Sequence, residues 1–173
     1  MRTQYIARRE LEHLLAALMP ENRLALELSL ATGLRISDCL SIKTEQLEKS
    51  TNNRITVTEM KTGKRRRIYI PAEIFARMMR ISGRYFVFEG RSDCRKHRTR
   101  QAVFKDLKRV ARIFRLKQNV APHSCRKIFA VEFFKRCGDL TKVQHLLNHS
   151  DEAVTILYAM ADELTKRTLG ESY

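Results

Sequence analysis

The sequence predicts an α+β fold: a mainly helical single domain with a small antiparallel β-sheet of about three strands. Three observations lead to this class. Leucines recur at helical spacing near the start, two short β-rich runs flank a basic turn, and a long amphipathic helix follows. The chain has 173 residues, 43% of them hydrophobic, which is enough for one domain with its own core and includes no run long enough for a membrane span.

The helical part begins with an apolar stripe at helical spacing. It consists of Leu11, Leu14, Leu15 and Leu18. Pro20 then ends this helix or starts the next one. The second helix is rich in leucine and runs into Gly33, where the backbone is expected to turn and present Arg35.

Two β-rich runs come next, from Arg54 to Met60 and from Arg65 to Tyr69. They are joined by a short segment that contains Gly63, so the sequence predicts a hairpin with a basic tip. A third short strand is expected from Tyr85 to Phe88 and would complete the sheet.

A helix is predicted from about Arg100 to Leu116. Its apolar stripe consists of Val103, Phe104, Leu107, Val110, Ala111 and Phe114. The opposite face carries charges of one sign only. A solvated face is the ordinary interpretation of such a run, but a single sign favours contact with DNA phosphates.

The net charge of +15 and the sequence pI of about 10.2 indicate a polyanionic partner. Double-stranded DNA is the first candidate and an anionic membrane surface the second. We expect DNA contacts from the hairpin tip, the basic loop and the following helix. The residues are Lys64, Arg65, Arg95, Arg98, Arg100, Lys105, Lys108, Arg109 and Arg112.

Six residues in short, ordered strings carry the candidate chemistry. They are Arg35 in ATGLRISD, Lys61 in EMKTGK, His123 and Arg126 in PHSCR, and His149 and Tyr158 in LLNHSDEAVTILY. A phosphodiester under attack develops about two negative charges on its non-bridging oxygens, which guanidinium and imidazole groups stabilise. A tyrosine nucleophile would stay attached to the phosphorus and keep the broken strand ready for rejoining. Each residue alone has an ordinary structural interpretation, and only the ordered set is specific.

In this order the residues resemble the catalytic domain of the tyrosine recombinases, also called the phage-integrase family. Residues 32–38 match the family's T-G-L-R-x-S-[DE] turn, which ends at Asp38. Residues 61–63 match its K-T-G string, which is expected on a hairpin. The boxes H-x-L-R-H and L-G-H-[ST] are matched with three departures, since Cys125, Lys127 and Asn148 replace leucine, histidine and glycine. All six catalytic positions are present, so the resemblance implies an active enzyme with the DNA breaking-rejoining fold.

The resemblance also implies a role for each side chain. Tyr158 would form a 3′-phosphotyrosyl link, and Lys61 would protonate the leaving 5′-oxygen. His123 would assist proton movement at the tyrosine, and Asp38 would support the site. The non-bridging oxygens would be held by Arg35, Arg126 and His149. The family works as a homo-tetramer on DNA, with weak self-association expected off DNA.

We expect no cofactor, no metal and no membrane partner. Cys94 and His97 form the one metal-like pair and have no second pair at ligand spacing, while the scattered cysteines are typical of reduced thiols. The start lacks an apolar signal segment, which predicts a cytoplasmic protein of the bacterial nucleoid or a phage-infected host. Residues 1–173 are expected to form the catalytic domain alone, without the helical core-binding domain that precedes it in the family.

Two alternatives stay open. Type IB topoisomerases use the same chemistry to relax strands, although their motifs fit less well. A DNA-binding regulator that retains the fold without catalysis is the alternative from another class.

Overall fold

The structure, a computed structural model, describes Ile6 and residues 8–147. Eight helices and two strands follow one another in this part of the chain. They are α1 (Arg8–Ala16), α2 (Pro20–Thr32), α3 (Ile36–Leu40), α4 (Thr44–Glu48), β1 (Arg54–Thr58), β2 (Arg65–Tyr69), α5 (Ala72–Ile81), α6 (Arg100–Ile113), α7 (His123–Cys137) and α8 (Leu140–Leu147). The α+β class with a dominant helical part is confirmed.

Helix α2 is the central element and packs against α1, α3, α5 and α7. The predicted leucine stripe of α1 is buried, and Pro20 occupies the first turn of α2, as expected. The start of α2 is held by Asp106 of α6, whose Oδ2 accepts hydrogen bonds from the Met19 backbone N–H at 3.0 Å and from Asn22 at 2.7 Å. A carboxylate at this end also interacts favourably with the helix dipole.

The end of α2 depends on Gly33. This residue has φ of +68°, a left-handed conformation that glycine adopts without steric cost. A Cβ built on Gly33 would lie 2.3 Å from Cδ1 of Phe129 on α7, so there is no room for a side chain. The backbone turns at Gly33, as predicted, and the chain enters α3 directly, with Arg35 as its N-cap residue.

Strands β1 and β2 form the antiparallel hairpin that the sequence predicts. The register pairs Arg54 with Tyr69 and Thr58 with Arg65. The inward face carries Ile55, Val57, Arg66 and Ile68. A charged residue therefore lies on the buried face of the sheet, opposite Val57.

The predicted third strand from Tyr85 to Phe88 is wrong. Within the described residues the sheet has two strands, and Phe86 forms only an isolated bridge with Lys43. Val87 and Phe88 are both buried, which a strand with one solvent face does not allow for consecutive residues. The segment is a turn that packs Val87 and Phe88 into the core and leaves Tyr85 exposed.

Helix α6 buries Val103, Leu107, Val110 and Ala111, as predicted. The two aromatic residues of the predicted stripe are instead exposed, Phe104 by 41% and Phe114 by 48%. Phe114 follows the last helical residue, so the helical period no longer sets its direction. Phe104 faces the pocket described below.

The apolar interior has two parts. The larger extends from α1 to the start of α7 and includes the inner face of the hairpin. The smaller lies between α7 and α8 and centres on Phe129, Val131, Val143 and Leu147. None of the helices in the described part is both long and apolar enough to cross a lipid bilayer.

Candidate active site

Three of the predicted catalytic residues line one pocket of about 360 Å³. They are Arg35, His123 and Arg126. Arg35 is far from the other two in the sequence and meets them because α2, which leads into Arg35, packs against α7. The remaining wall comes from α3, α6 and the segment before α7. It consists of Ile36, Ser37, Arg100, Gln101, Phe104, Ala121 and Pro122. The pocket combines cationic groups with apolar walls.

Arg35 follows the Gly33 turn and has an extended backbone conformation as the N-cap residue of α3. Its side chain is only 12% exposed. One terminal nitrogen, Nη1, donates to Oε2 of Glu59 at 2.9 Å. The guanidinium is therefore held in a fixed orientation beside the pocket.

His123 and Arg126 lie in the first turn of α7, three residues apart and on one face. His123 is half-buried, and Arg126 is fully buried. The Arg126 fork donates from Nη1 to the Gly33 carbonyl at 2.5 Å and from Nη2 to the Leu147 carbonyl at 2.7 Å. One side chain thus connects the end of α2 with the end of α8.

Lys61 is exposed in the hairpin turn and does not line the pocket. The residues on either side of it are both tethered by buried acids. The Met60 backbone N–H donates to Oδ1 of Asp38 at 3.0 Å, and the Thr62 hydroxyl donates to Oε2 of Glu59 at 3.1 Å. The turn is therefore fixed to the buried carboxylates of Asp38 and Glu59, while the lysine itself is exposed.

Asp38 is fully buried. Burial raises the pKa of its carboxyl group, and the nearby Glu59 charge acts in the same direction. The Met60 hydrogen bond and the charges of Arg35 and Arg126 oppose that change in the pKa. The sequence predicted a supporting role beside Arg35, and the structure adds the contact that Asp38 makes with the turn carrying Lys61.

Arg35, Asp38, Glu59, Arg66 and Arg126 form one charged cluster. Sequence reasoning missed two of its members, Glu59 and Arg66. Glu59 is fully buried, and Oε1 of its carboxylate lies 4.0 Å from Nη1 of Arg66. Burial lowers the pKa of the Arg66 guanidinium, Arg126 and Arg35 act in the same direction, and Glu59 opposes them. The available sequence signal was the position of Arg66 in the alternation of β2, which places it on the same face as Ile68.

His149 and Tyr158 lie outside the described residues. The described chain ends at Leu147, two residues before His149, and the Leu147 carbonyl is bound by Arg126. Arg126 therefore holds the point from which the chain continues toward both residues.

The predicted DNA contacts divide into two groups. The exposed ones are Lys64, Arg65, Arg95, Arg100, Lys105, Arg109 and Arg112. Arg98 and Lys108 are half-buried, with Arg98 Nε donating to Asn22 at 2.6 Å and Lys108 Nζ donating to Asn119 at 2.5 Å. Arg109 is exposed but bonds to Asp106 at 2.7 Å. These three side chains have structural partners in addition to any ligand.

The structure combines a mainly helical fold and one antiparallel hairpin with a cationic pocket. The model of the phage integrase family matches residues 4–164. The integrase of Escherichia phage P2 is 31% identical over 157 residues, which cover 91% of this chain and 43% of that protein. The tyrosine recombinase XerD of Lacticaseibacillus casei is 30% identical over 151 residues, covering 79% of this chain and 49% of the relative.

Among solved structures, the catalytic domain of bacteriophage HP1 integrase has the same fold, with a TM-score of 0.67 and 19% identity. That match covers 98% of this chain and 96% of the HP1 domain. The chain belongs to the phage integrase family of tyrosine recombinases. It spans less than half the length of the P2 and Lacticaseibacillus relatives.

Proposed function

We propose that this chain is the catalytic domain of a site-specific DNA recombinase or integrase that cleaves and rejoins DNA through a 3′-phosphotyrosyl intermediate. The observation that carries the proposal is the meeting of Arg35, His123 and Arg126 at one pocket, in a member of the phage integrase family. Two guanidiniums and an imidazole in one partly apolar pocket suit the charge that a phosphodiester develops during attack.

In the proposed reaction the Tyr158 oxygen attacks the scissile phosphorus, and the bond from phosphorus to the 5′-oxygen breaks. Arg35, Arg126 and His149 bind the non-bridging oxygens, and His123 assists removal of the tyrosine proton. A partner strand's 5′-hydroxyl then attacks the phosphotyrosine, which releases Tyr158 and reseals the DNA. The chain's own side chains suffice for these steps, so the proposal includes no cofactor.

Lys61 has the role of the general acid. An alkoxide is a poor leaving group because its conjugate acid is a very weak acid, comparable to water, so protonation has to accompany its departure. A thiol has a pKa of ~8.5 and departs without a proton. An exposed lysine on a turn that is fixed at both flanking residues suits delivery of that proton.

The proposed DNA-binding surface includes the exposed basic residues of the hairpin tip and of α6. On α6, Arg100 and Phe104 line the pocket four residues apart, and the exposed Lys105, Arg109 and Arg112 continue the basic surface along the helix, which suits contact with a phosphate backbone. A tetramer on two duplexes, as the family implies, completes the proposal. The names of the relatives favour recombination over strand relaxation by a topoisomerase-like enzyme.

The test uses a random-sequence pool of nicked suicide duplexes, which trap a covalent intermediate because the short cleaved strand is lost. The protein is incubated with the pool and denatured, and the covalently linked DNA is sequenced to identify the site. Wild type should form an adduct and Tyr158→Phe should form none while binding the selected DNA as before. The matched control is Tyr69→Phe, which should react normally because Tyr69 is an exposed strand residue.

Adduct formation by Tyr158→Phe at the wild-type level would move the nucleophile to Tyr173 or Tyr69. DNA binding without any wild-type adduct would instead favour the regulator that retains the fold.

A further inference from the structure

Glu59 occupies the junction between β1 and the turn that carries Lys61. Its backbone closes that turn, since Glu59 N–H donates to the Lys64 carbonyl at 3.0 Å and Gly63 N–H donates to the Glu59 carbonyl at 2.8 Å. Its side chain is fully buried. Glu59 is therefore a fixed part of the protein interior and not a DNA contact.

A single oxygen of Glu59 joins two parts of the site. Oε2 accepts from Arg35 Nη1 at 2.9 Å and from the Thr62 hydroxyl at 3.1 Å. Arg66 lies near the other oxygen, Oε1, at 4.0 Å. The carboxylate thus has cations on two sides and a hydroxyl on the turn, which is the kind of compensation that a buried charge requires.

The geometry points to Glu59 as a positioning residue that couples the Arg35 guanidinium to the Lys61 turn. This inference rests on the proposed function, in which Arg35 binds phosphate oxygens and Lys61 protonates the leaving group. A guanidinium is planar with five donors in fixed directions, so fixing Nη1 to Glu59 sets the direction of the others. The same oxygen accepts a hydrogen bond from Thr62, the neighbour of Lys61. The Arg35 guanidinium and the Lys61 turn are therefore held in a fixed relative position.

The coupling can be tested with a DNA substrate that has sulfur at the 5′-bridging position. Its leaving group needs no proton from Lys61, whereas the non-bridging oxygens still need Arg35. Glu59→Gln keeps the shape but removes the charge, and it should slow single-turnover cleavage of ordinary DNA by roughly 10- to 100-fold, as small misplacements of reacting groups do. The sulfur substrate should restore part of that loss. DNA affinity should change less than the cleavage rate because Glu59 does not reach the surface.

Thr62→Val is the matched variant, since it removes the contact on the lysine side and keeps the Arg35 pair. Its smaller defect on ordinary DNA should disappear on the sulfur substrate. A general loss of folding cannot produce this contrast, because it would slow both variants on both substrates alike.

The experiment uses the DNA site selected by the adduct assay, and wild type is measured first. If wild type forms no adduct, the proposed function fails before Glu59 is tested. If wild type cleaves, three results would overturn the coupling. Glu59→Gln could cleave ordinary DNA at the wild-type rate, or the sulfur substrate could restore its cleavage rate completely, or the sulfur substrate could restore none of it. If Glu59→Gln does not fold, Thr62→Val becomes the test. Cleavage of ordinary DNA by Thr62→Val at the wild-type rate would then overturn the proposal.

Discussion

Arg66 and Arg126 bind the carbonyl oxygens of two consecutive residues at the C-terminal end of α2. Arg66 Nη2 donates to Thr32 and Arg126 Nη1 donates to Gly33, each at 2.5 Å. These carbonyls end a helix and lack partners within it, and the helix dipole also favours positive charge there. A hairpin residue and an α7 residue thus fix the turn that precedes Arg35.

Arg66→Gln should lower the free energy of unfolding by roughly 1.5–3 kcal/mol, because it removes a charged hydrogen bond to Thr32 and a cation near the buried Glu59. Arg67→Gln is the matched control on the exposed face of the same strand and should change stability by less than about 0.5 kcal/mol. Urea denaturation of both variants gives the comparison. Equal stability of the two would show that the buried guanidinium has no structural role.

Gly33→Ala should destabilise the protein more than Gly63→Ala does. Both glycines have positive φ, +68° and +66°, so both substitutions strain the backbone by about 1–2 kcal/mol. A Cβ at Gly33 also meets Phe129, whereas at Gly63 nothing lies within 4 Å, so Gly33→Ala should lose about 1–3 kcal/mol more. Thermal unfolding of both variants measures this difference, and equal losses would contradict the close packing of α2 on α7.

Asp106→Asn should destabilise the protein at neutral pH by about 1–3 kcal/mol, because the carboxylate binds Met19, Asn22 and Arg109. Burial raises the pKa of Asp106, but the hydrogen bonds from Asn22, Arg109 and Met19 outweigh it, so the pKa lies below the ordinary value of 3.8. The folded state therefore binds this proton less tightly than the unfolded state. The stabilisation is complete above the unfolded pKa and is lost as the pH falls through the folded pKa.

The measurement is the difference in unfolding free energy between wild type and Asp106→Asn, followed from neutral pH into acid. The difference should shrink as the acid region is entered. Glu48→Gln, at an exposed position, serves as the control and should change the free energy of unfolding at neutral pH by less than about 0.5 kcal/mol. A gap between wild type and Asp106→Asn that stays constant into acid would contradict the lowered pKa.

Much of the fold and part of the site follow from the sequence alone. The Arg35 turn and the Lys61 hairpin were identified by local strings, because the residues that shape a turn lie beside it in the sequence. Glu59 was missed because its partner Arg35 is 24 residues away, and such a pairing is decided by packing rather than by local pattern. Phe104 has the correct helical period, but whether a side chain meets core or pocket depends on the neighbouring elements.

Arg126→Lys should lose both stability and cleavage, since an ammonium group cannot span the Gly33 and Leu147 carbonyls as the guanidinium fork does. Cleavage of the selected site should fall by roughly two to three orders of magnitude, as for removal of one preorganised donor. Arg136→Lys, on the exposed side of the same helix, should behave like wild type. Near-normal cleavage by Arg126→Lys would show that the reaction does not depend on two simultaneous hydrogen bonds from the Arg126 guanidinium.

Lys61→Ala should cleave ordinary DNA very slowly, yet cleave a duplex with sulfur at the 5′-bridging position almost as fast as wild type, because a thiolate needs no proton in order to leave. Arg35→Ala should gain no such rescue, since its task is to bind charge on the non-bridging oxygens. Both variants are measured on both substrates by single-turnover adduct formation. Equal rescue of the two, or none for Lys61→Ala, would remove Lys61 as the general acid and direct attention to Lys64 or His123.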